Sequence, residues 1–144
     1  MSDTLVAAYD GSAASRRAVD FALAQARASG ARLVLAHVLE WSPYSFLTPD
    51  EVAERHKRRQ EELDRAQEAI LAPLLAELSG SGVAIETDVR FGHIAETLAT
   101  IARDHGATQM VVGRTGESSV MARIFGATVG TLAQIAPVPC TIVP

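Results

Sequence analysis

Gly113, Gly116 and Gly126 stand in a G-x2-G-x9-G pattern inside the stretch "GRTGESSVMARIFGATVG", residues 113 to 130. A glycine keeps no side chain between backbone N–H groups and an anion, and it reaches positive φ at little cost, so such a stretch can wrap phosphate oxygens. It can equally be a plain flexible loop. Gly126 directly precedes a helical pattern at residues 127–136, and the first N–H groups of a helix are unpaired and attract negative charge. Arg114 and Arg123 lie within the stretch and offer guanidinium donors either to phosphate or to solvent, whereas Glu117 opposes an anion unless a metal intervenes. Asp10, in "YDGSAAS", is a carboxylate that can accept from ribose hydroxyls or hold a divalent metal beside phosphates. Asp and Ser in this order also build N-caps and Asx turns, and the two roles are compatible.

Other chemistry finds little footing. His37, His56, His93 and His105 lack the spacing of a metal site. There is no G-x-x-x-x-G-K-[ST] loop and no G-x-G-x-x-G after the first apolar run. "FGHIAE" is not the two-histidine signature of nucleotidylyl transferases, and "YDGSAAS" lacks the second glycine of the ATP pyrophosphatase loop. No nucleophile is paired with a base in the sequence, so the expectation is a binding protein with no catalytic residues and at most slow, incidental ATP hydrolysis.

The elements that must position these residues follow from periodicity. "TLVAAY" (4–9), "RLVLAHV" (32–38), "VAIETDVR" (83–90), "QMVVG" (109–113) and "CTIV" (140–143) read as buried strands. Between them lie four helical patterns. The first carries Ala18, Phe21, Ala22, Gln25 and Ala26 on one face and stops at Gly30; the others span residues 50–78, 94–106 and 127–136. Strands separated by helices of this length predict right-handed crossovers and a doubly wound parallel α/β sheet covered on both faces. Ligands of such sheets bind beyond the carboxyl ends of the strands, where strand order reverses. Asp10, Gly11, Val38 and the residues after Gly113 occupy that position.

Two segments interrupt the alternation. "EWSPYSFLTP" (40–49) carries Trp41 ahead of Pro43, and Tyr44 and Phe46 between Pro43 and Pro49, and suits a ligand wall, a lid, or packing on its own helix or a partner. In "ERHKRRQEELDR" (54–65), Glu54 with Arg58, Lys57 with Glu61 and Arg58 with Glu62 stand four apart, the spacing of ion pairs along a solvated helix.

The chain of 144 residues is the size of one domain. Its formal charge of -4 argues against nucleic-acid and anionic-membrane partners. Cys140 is the single cysteine and, in an apolar run, reads as a small buried hydrophobe. The start shows neither a basic leader nor a long apolar run, and no run approaches the roughly 20 residues that cross a bilayer, so a cytoplasmic location is expected.

Over essentially its whole length the sequence resembles the universal stress protein family. The resemblance rests on the order and spacing of "VAAYDGSAASRRAV", "LAHV", "FGHIAETLATIARDHGATQMVVGRTG" and "GATVGTLAQIAPVPCTIVP". It implies a Rossmann-like five-stranded parallel sheet in the order 3-2-1-4-5 sandwiched by four helices, with residues 1–144 as one nucleotide-binding domain. It also implies a homodimer through the last strand, Cys140 to Val143. One branch of the family binds ATP. Carried over, Gly113, Gly116 and Gly126 line the phosphates with Arg114, Ala127 and Thr128 beside them. Asp10 meets the ribose or a Mg2+ or Mn2+ ion, Val38 and Val112 meet the adenine through backbone, and Ala8 and Tyr9 adjoin the nucleotide. The sequence departs from that branch at Ala127, where a Ser or Thr is usual, and at Val129, where a second serine is frequent. Losing a hydroxyl bond to a charged phosphate costs about 1.5–3 kcal/mol, although Ser118, Ser119 or Thr128 can supply another hydroxyl. The resemblance therefore implies an adenine nucleotide, ATP first and AMP or ADP next, in a stress-related sensor or regulator. The alternative is a nucleotide-independent interaction module of the non-ATP-binding branch, acting on a partner such as a transporter.

Overall fold

The computed structural model describes residues 3–40, 49–114 and 128–144. Five strands form one parallel sheet: β1 (Thr4–Ala8), β2 (Arg32–Glu40), β3 (Ile85–Gly92), β4 (Gln109–Gly113) and β5 (Cys140–Val143). Their order across the sheet is β3-β2-β1-β4-β5, as the family resemblance implies. The reversal falls at β1, which pairs with β2 on one side (Ala8 opposite Ala36) and with β4 on the other (Ala7 opposite Val111).

Side-chain alternation along each strand divides the core in two. Leu33 and Leu35 of β2, with Leu5, Ala7 and Val111, pack under helices α1 (Ala13–Ser29) and α3 (Ala72–Leu78). Val34 and Ala36, with Val6, Met110 and Val112, pack under α4 (Ile94–Asp104) and α5, helical at residues 128–135. Helix α2 (Pro49–Ala66) leads into α3 through a π-helical turn at Gln67–Leu71, so residues 49–78 form the single long helical run that the sequence predicts.

The π turn has a local cause. Pro73 has no N–H to give the carbonyl four residues back and its ring crowds that carbonyl, a conflict that a widened turn immediately ahead of the proline relieves. The N–H of Ala72 accordingly bonds to the carbonyl of Gln67, five residues back.

Helix α1 shows how composition sets a packing distance. Ala18, Ala22 and Ala26 recur every four residues and are fully buried, so the helix backbone lies close over the sheet. Phe21, expected on that face, is instead 45% exposed, because it sits about 100° round the helix from Ala22. Gly30 ends the helix in the left-handed region at φ 73°, and its N–H reaches the Ala26 carbonyl.

Three strands have boundaries that differ from the sequence expectations. β1 stops at Ala8, though the N–H of Tyr9 still bonds to the Ala36 carbonyl at 2.8 Å. β2 runs two residues further, to Glu40. β3 starts at Ile85 instead of residue 83 and runs to Gly92: Val83 packs against the first core from a turn, its N–H held by Ser81 Oγ at 3.3 Å. Apolar character at Val83 serves packing without strand pairing. The aromatic segment Trp41, Tyr44 and Phe46 lies outside the described residues, as do Gly116, Glu117, Ser118, Ser119, Arg123, Gly126 and Ala127.

Candidate functional site

Because β1, β2 and β4 are parallel and in register, their carboxyl ends come together. Ala8 ends β1 and Tyr9 and Asp10 follow it, Val38 lies two residues before the end of β2, and Val112 and Gly113 end β4 with Arg114 next in the chain. The structure thus gathers seven of the candidate residues at the point where strand order reverses. Thr128 begins the described part of α5, and Val129 packs against the second core, which accounts for a valine there in packing terms.

Asp10 belongs to a tight hydrogen-bonded corner. Its Oδ1 accepts from the Ser12 N–H at 2.9 Å and from Ser15 Oγ at 2.7 Å, while its own N–H donates to Ser15 Oγ at 3.2 Å. Gly11 turns the chain between them at φ 86°, a conformation that costs glycine least. Ser12 is the N-cap of α1, its Oγ accepting from the Ser15 N–H at 3.1 Å. The Asx-turn role foreseen for Asp10 is therefore filled, with Ser12 as the capping residue.

Gly113 carries a packing duty that loop reasoning missed. A Cβ built on it would lie 2.9 Å from the Ala14 carbonyl oxygen and 3.2 Å from the Ser15 nitrogen, both backbone atoms of the first turn of α1. The glycine lets the end of β4 and the start of α1 touch. Arg114 continues the pairing, its N–H bonding to the Val143 carbonyl at 2.8 Å, and its side chain is exposed.

His37 was read from the sequence only as one scattered histidine, yet it sits in this site. It follows Leu33 and Leu35 onto the α1/α3 face, is 6% exposed, and its Nδ1 lies 2.7 Å from the Tyr9 carbonyl oxygen. Nε2 of the same ring is buried with no hydrogen-bond partner among the described residues. A buried polar atom of this kind costs about 1–3 kcal/mol until something pairs with it. The signal in the sequence was the histidine inside the apolar run "RLVLAHV".

A second polar centre stands on the β3 edge. Both oxygens of Asp88 accept from Arg90, at 2.8 Å each, and Oδ2 also accepts from His105 Nε2 at 2.7 Å; Arg90 reaches on to Asp104 at 2.7 Å. Burial pushes the Asp88 carboxyl up, but the bonds from Arg90 and His105 outweigh it and hold the group below the usual carboxylate range. The bond to Asp88 raises Arg90 well above the usual guanidinium range. Burial likewise raises the Cys140 thiol, which is only partly buried, packed against the second core, instead of fully buried as the sequence suggested. Among the described residues no group of three or more His, Cys, Asp or Glu is placed to hold a metal ion, and no helix is long and apolar enough to cross a membrane.

A doubly wound five-stranded parallel sheet in this order, with its reversal at β1, defines a Rossmann-like α/β class. The family model for the universal stress protein family matches residues 1–144, and the chain belongs to that family. A universal stress protein of Thermus aquaticus, named for its place in the 3' region of a QAH/OAS sulfhydrylase, is 31% identical over 144 residues, covering 99% of each chain. Among solved structures, the universal stress protein UspA of Lactobacillus plantarum is 22% identical with a TM-score of 0.79, over 99% of this chain and 97% of that one. A universal stress protein solved in complex with cAMP is 26% identical with a TM-score of 0.70, over 99% and 97% of the two chains.

Proposed function

We propose that residues 1–144 act as one nucleotide-binding domain that holds an adenine nucleotide, ATP first, above the carboxyl ends of β1, β2 and β4, and serves as a cytoplasmic sensor or regulator of a stress response. The observation that carries the reading is the convergence of Ala8, Tyr9, Asp10, Val38, Val112, Gly113 and Arg114 at one end of the sheet. A family relative bound to cAMP supports the same ligand class. In this reading, backbone at Val38 and Val112 meets the base and Asp10 meets the ribose. Gly113, Gly116, Gly126 and the start of α5 at Ala127 and Thr128 surround the phosphates, with Arg114 supplying positive charge.

The residues suit the nucleotide better than they suit a resident metal. The Arg114 guanidinium is exposed and His37 Nε2 is a buried acceptor with no partner among the described residues. Asp10 Oδ1 already accepts two hydrogen bonds, so a Mg2+ or Mn2+ ion here takes most of its ligands from phosphate and water. When bound, such an ion neutralises phosphate charge. Any hydrolysis is slow and incidental.

The edges of the sheet support a homodimer through β5. Strand β3 carries Glu86, Asp88 and Arg90, charges that discourage pairing at an edge, whereas β5 reads Cys140, Thr141, Ile142, Val143 and leaves Ile142 42% exposed. The alternative reading, a nucleotide-independent module acting on a protein partner, is favoured by α2, of whose 18 residues only Ala66 is buried.

The deciding experiment is to purify the protein without added nucleotide, denature it, and identify released small molecules by mass spectrometry, with calorimetric titration of ATP and AMP alongside. Near-stoichiometric adenine nucleotide, or saturable heat of binding, is expected. An empty protein silent to millimolar nucleotide would sink the reading and turn attention to α2.

A further inference from the structure

We infer that His37 reads the base of the bound nucleotide, its Nε2 accepting a hydrogen bond from the exocyclic amine of a 6-aminopurine; the inference rests on the nucleotide reading above. The tautomer follows from the partner. A backbone carbonyl can only accept, so the contact at 2.7 Å between His37 and the Tyr9 oxygen requires the proton on Nδ1, and the neutral ring then presents a lone pair at Nε2. That lone pair is an acceptor with no donor among the described residues, on a side chain that is 6% exposed. Folded proteins seldom leave a buried polar atom unpaired, and one next to the carboxyl end of β1 is an acceptor that a ligand donor would satisfy.

The ring is also held in place. The Tyr9 backbone is tied to β2 on both sides, its N–H to the Ala36 carbonyl at 2.8 Å and its carbonyl to His37. Tyr9 directly follows the end of β1, and Val38 lies two residues before the end of β2, on the side where strand order reverses. His37 therefore spans the ends of β1 and β2 with a fixed orientation, so its acceptor discriminates instead of adapting.

The chemistry of discrimination is simple. A 6-amino purine brings an N–H donor to this position and satisfies Nε2. A 6-oxo purine brings an oxygen acceptor, which leaves two lone pairs opposed and Nε2 still unpaired. Sites built to bond one group reject the analogue lacking it more strongly than apolar pockets do.

The test is calorimetric titration of the full chain with ATP and ITP, comparing the wild type with His37→Gln and His37→Phe. Preference for ATP of about tenfold or more is expected in the wild type, kept by His37→Gln, whose carbonyl still accepts, and reduced about tenfold in His37→Phe. An unchanged ATP-to-ITP ratio in a folded His37→Phe protein overturns the role of His37 while leaving the nucleotide reading intact. A wild type that binds neither nucleotide overturns both. If His37→Phe does not fold, nitrogen NMR of the labelled wild type decides: the Nε2 resonance moves upfield with ATP and not with ITP, and an Nε2 unmoved by saturating ATP overturns the inference.

Discussion

Gly113 of β4 and Ala14 of α1 meet so closely that a single methyl group does not fit between them: a Cβ at 113 would stand 2.9 Å from the Ala14 carbonyl oxygen. The obstacle is backbone, which cannot swing aside as a flexible side chain can. Gly113→Ala is therefore expected to lower stability by about 1–3 kcal/mol with no nucleotide present. Urea denaturation measures it. An unchanged midpoint would return Gly113 to a purely ligand-facing role.

Asp10 has a structural role in its corner and a proposed role toward ligand, and two substitutions separate them. Asp10→Ala removes the acceptor used by Ser12 and Ser15 and is expected to cost about 1 kcal/mol of stability. Asp10→Asn keeps a carbonyl oxygen for those donors and loses the charge. It should fold nearly as well as wild type while losing the metal dependence of nucleotide binding. Equal thermal melting of Asp10→Ala and wild type would contradict the corner described here.

The Asp88 network imposes an acid limit on stability. Asp88 has its carboxyl lowered in the folded chain, so it binds protons more readily when unfolded; its contribution is present above the unfolded value of about 3.9 and is lost as pH falls through the folded value. With 15% of its side chain exposed, its removal as Asp88→Asn is expected to cost about 1–3 kcal/mol at neutral pH and to flatten the acid limb of stability against pH. Parallel acid limbs for variant and wild type would refute the assignment.

Ala127 stands where a hydroxyl is usual in the ATP-binding branch. Ala127→Ser is expected to tighten ATP binding about tenfold or more if phosphate lies there, since a hydrogen bond to a charged group is worth about 1.5–3 kcal/mol. Calorimetry on the two proteins checks it. No gain in affinity would mean that Thr128 or backbone already serves the phosphate, or that the phosphate lies elsewhere.

Ile142→Asp places a charge on the apolar β5 edge and should convert the proposed dimer to a monomer in sedimentation without altering the far-UV spectrum. A variant that sediments like the wild type would remove β5 as the interface.

Much of this was legible in the chain. Short apolar runs alternating with helical periods of ten or more residues leave parallel pairing with crossovers as the economical arrangement, and "VAAYDGS" announces a strand, a turn and a capped helix through the chemistry of Asp, Gly and Ser. Misreadings came where one residue type serves two environments. Phe21 was assigned inward by hydrophobicity, but small alanines already filled that face; Val83 was assigned to a strand, but its apolar side chain packs from a turn.

The sequence by itself determined the alternation of elements, the parallel sheet class, the candidate ends of β1, β2 and β4, and the family, because each depends on local period, local turn chemistry or the order of short motifs. Only the tertiary structure decided that Gly113 abuts Ala14, that Asp88 bonds His105, and that His37 anchors on Tyr9 with one nitrogen unpaired. These partners lie 99, 17 and 28 positions apart. No local rule relates such positions; strand register and helix docking bring them together, and only then do burial and geometry assign each side chain its work.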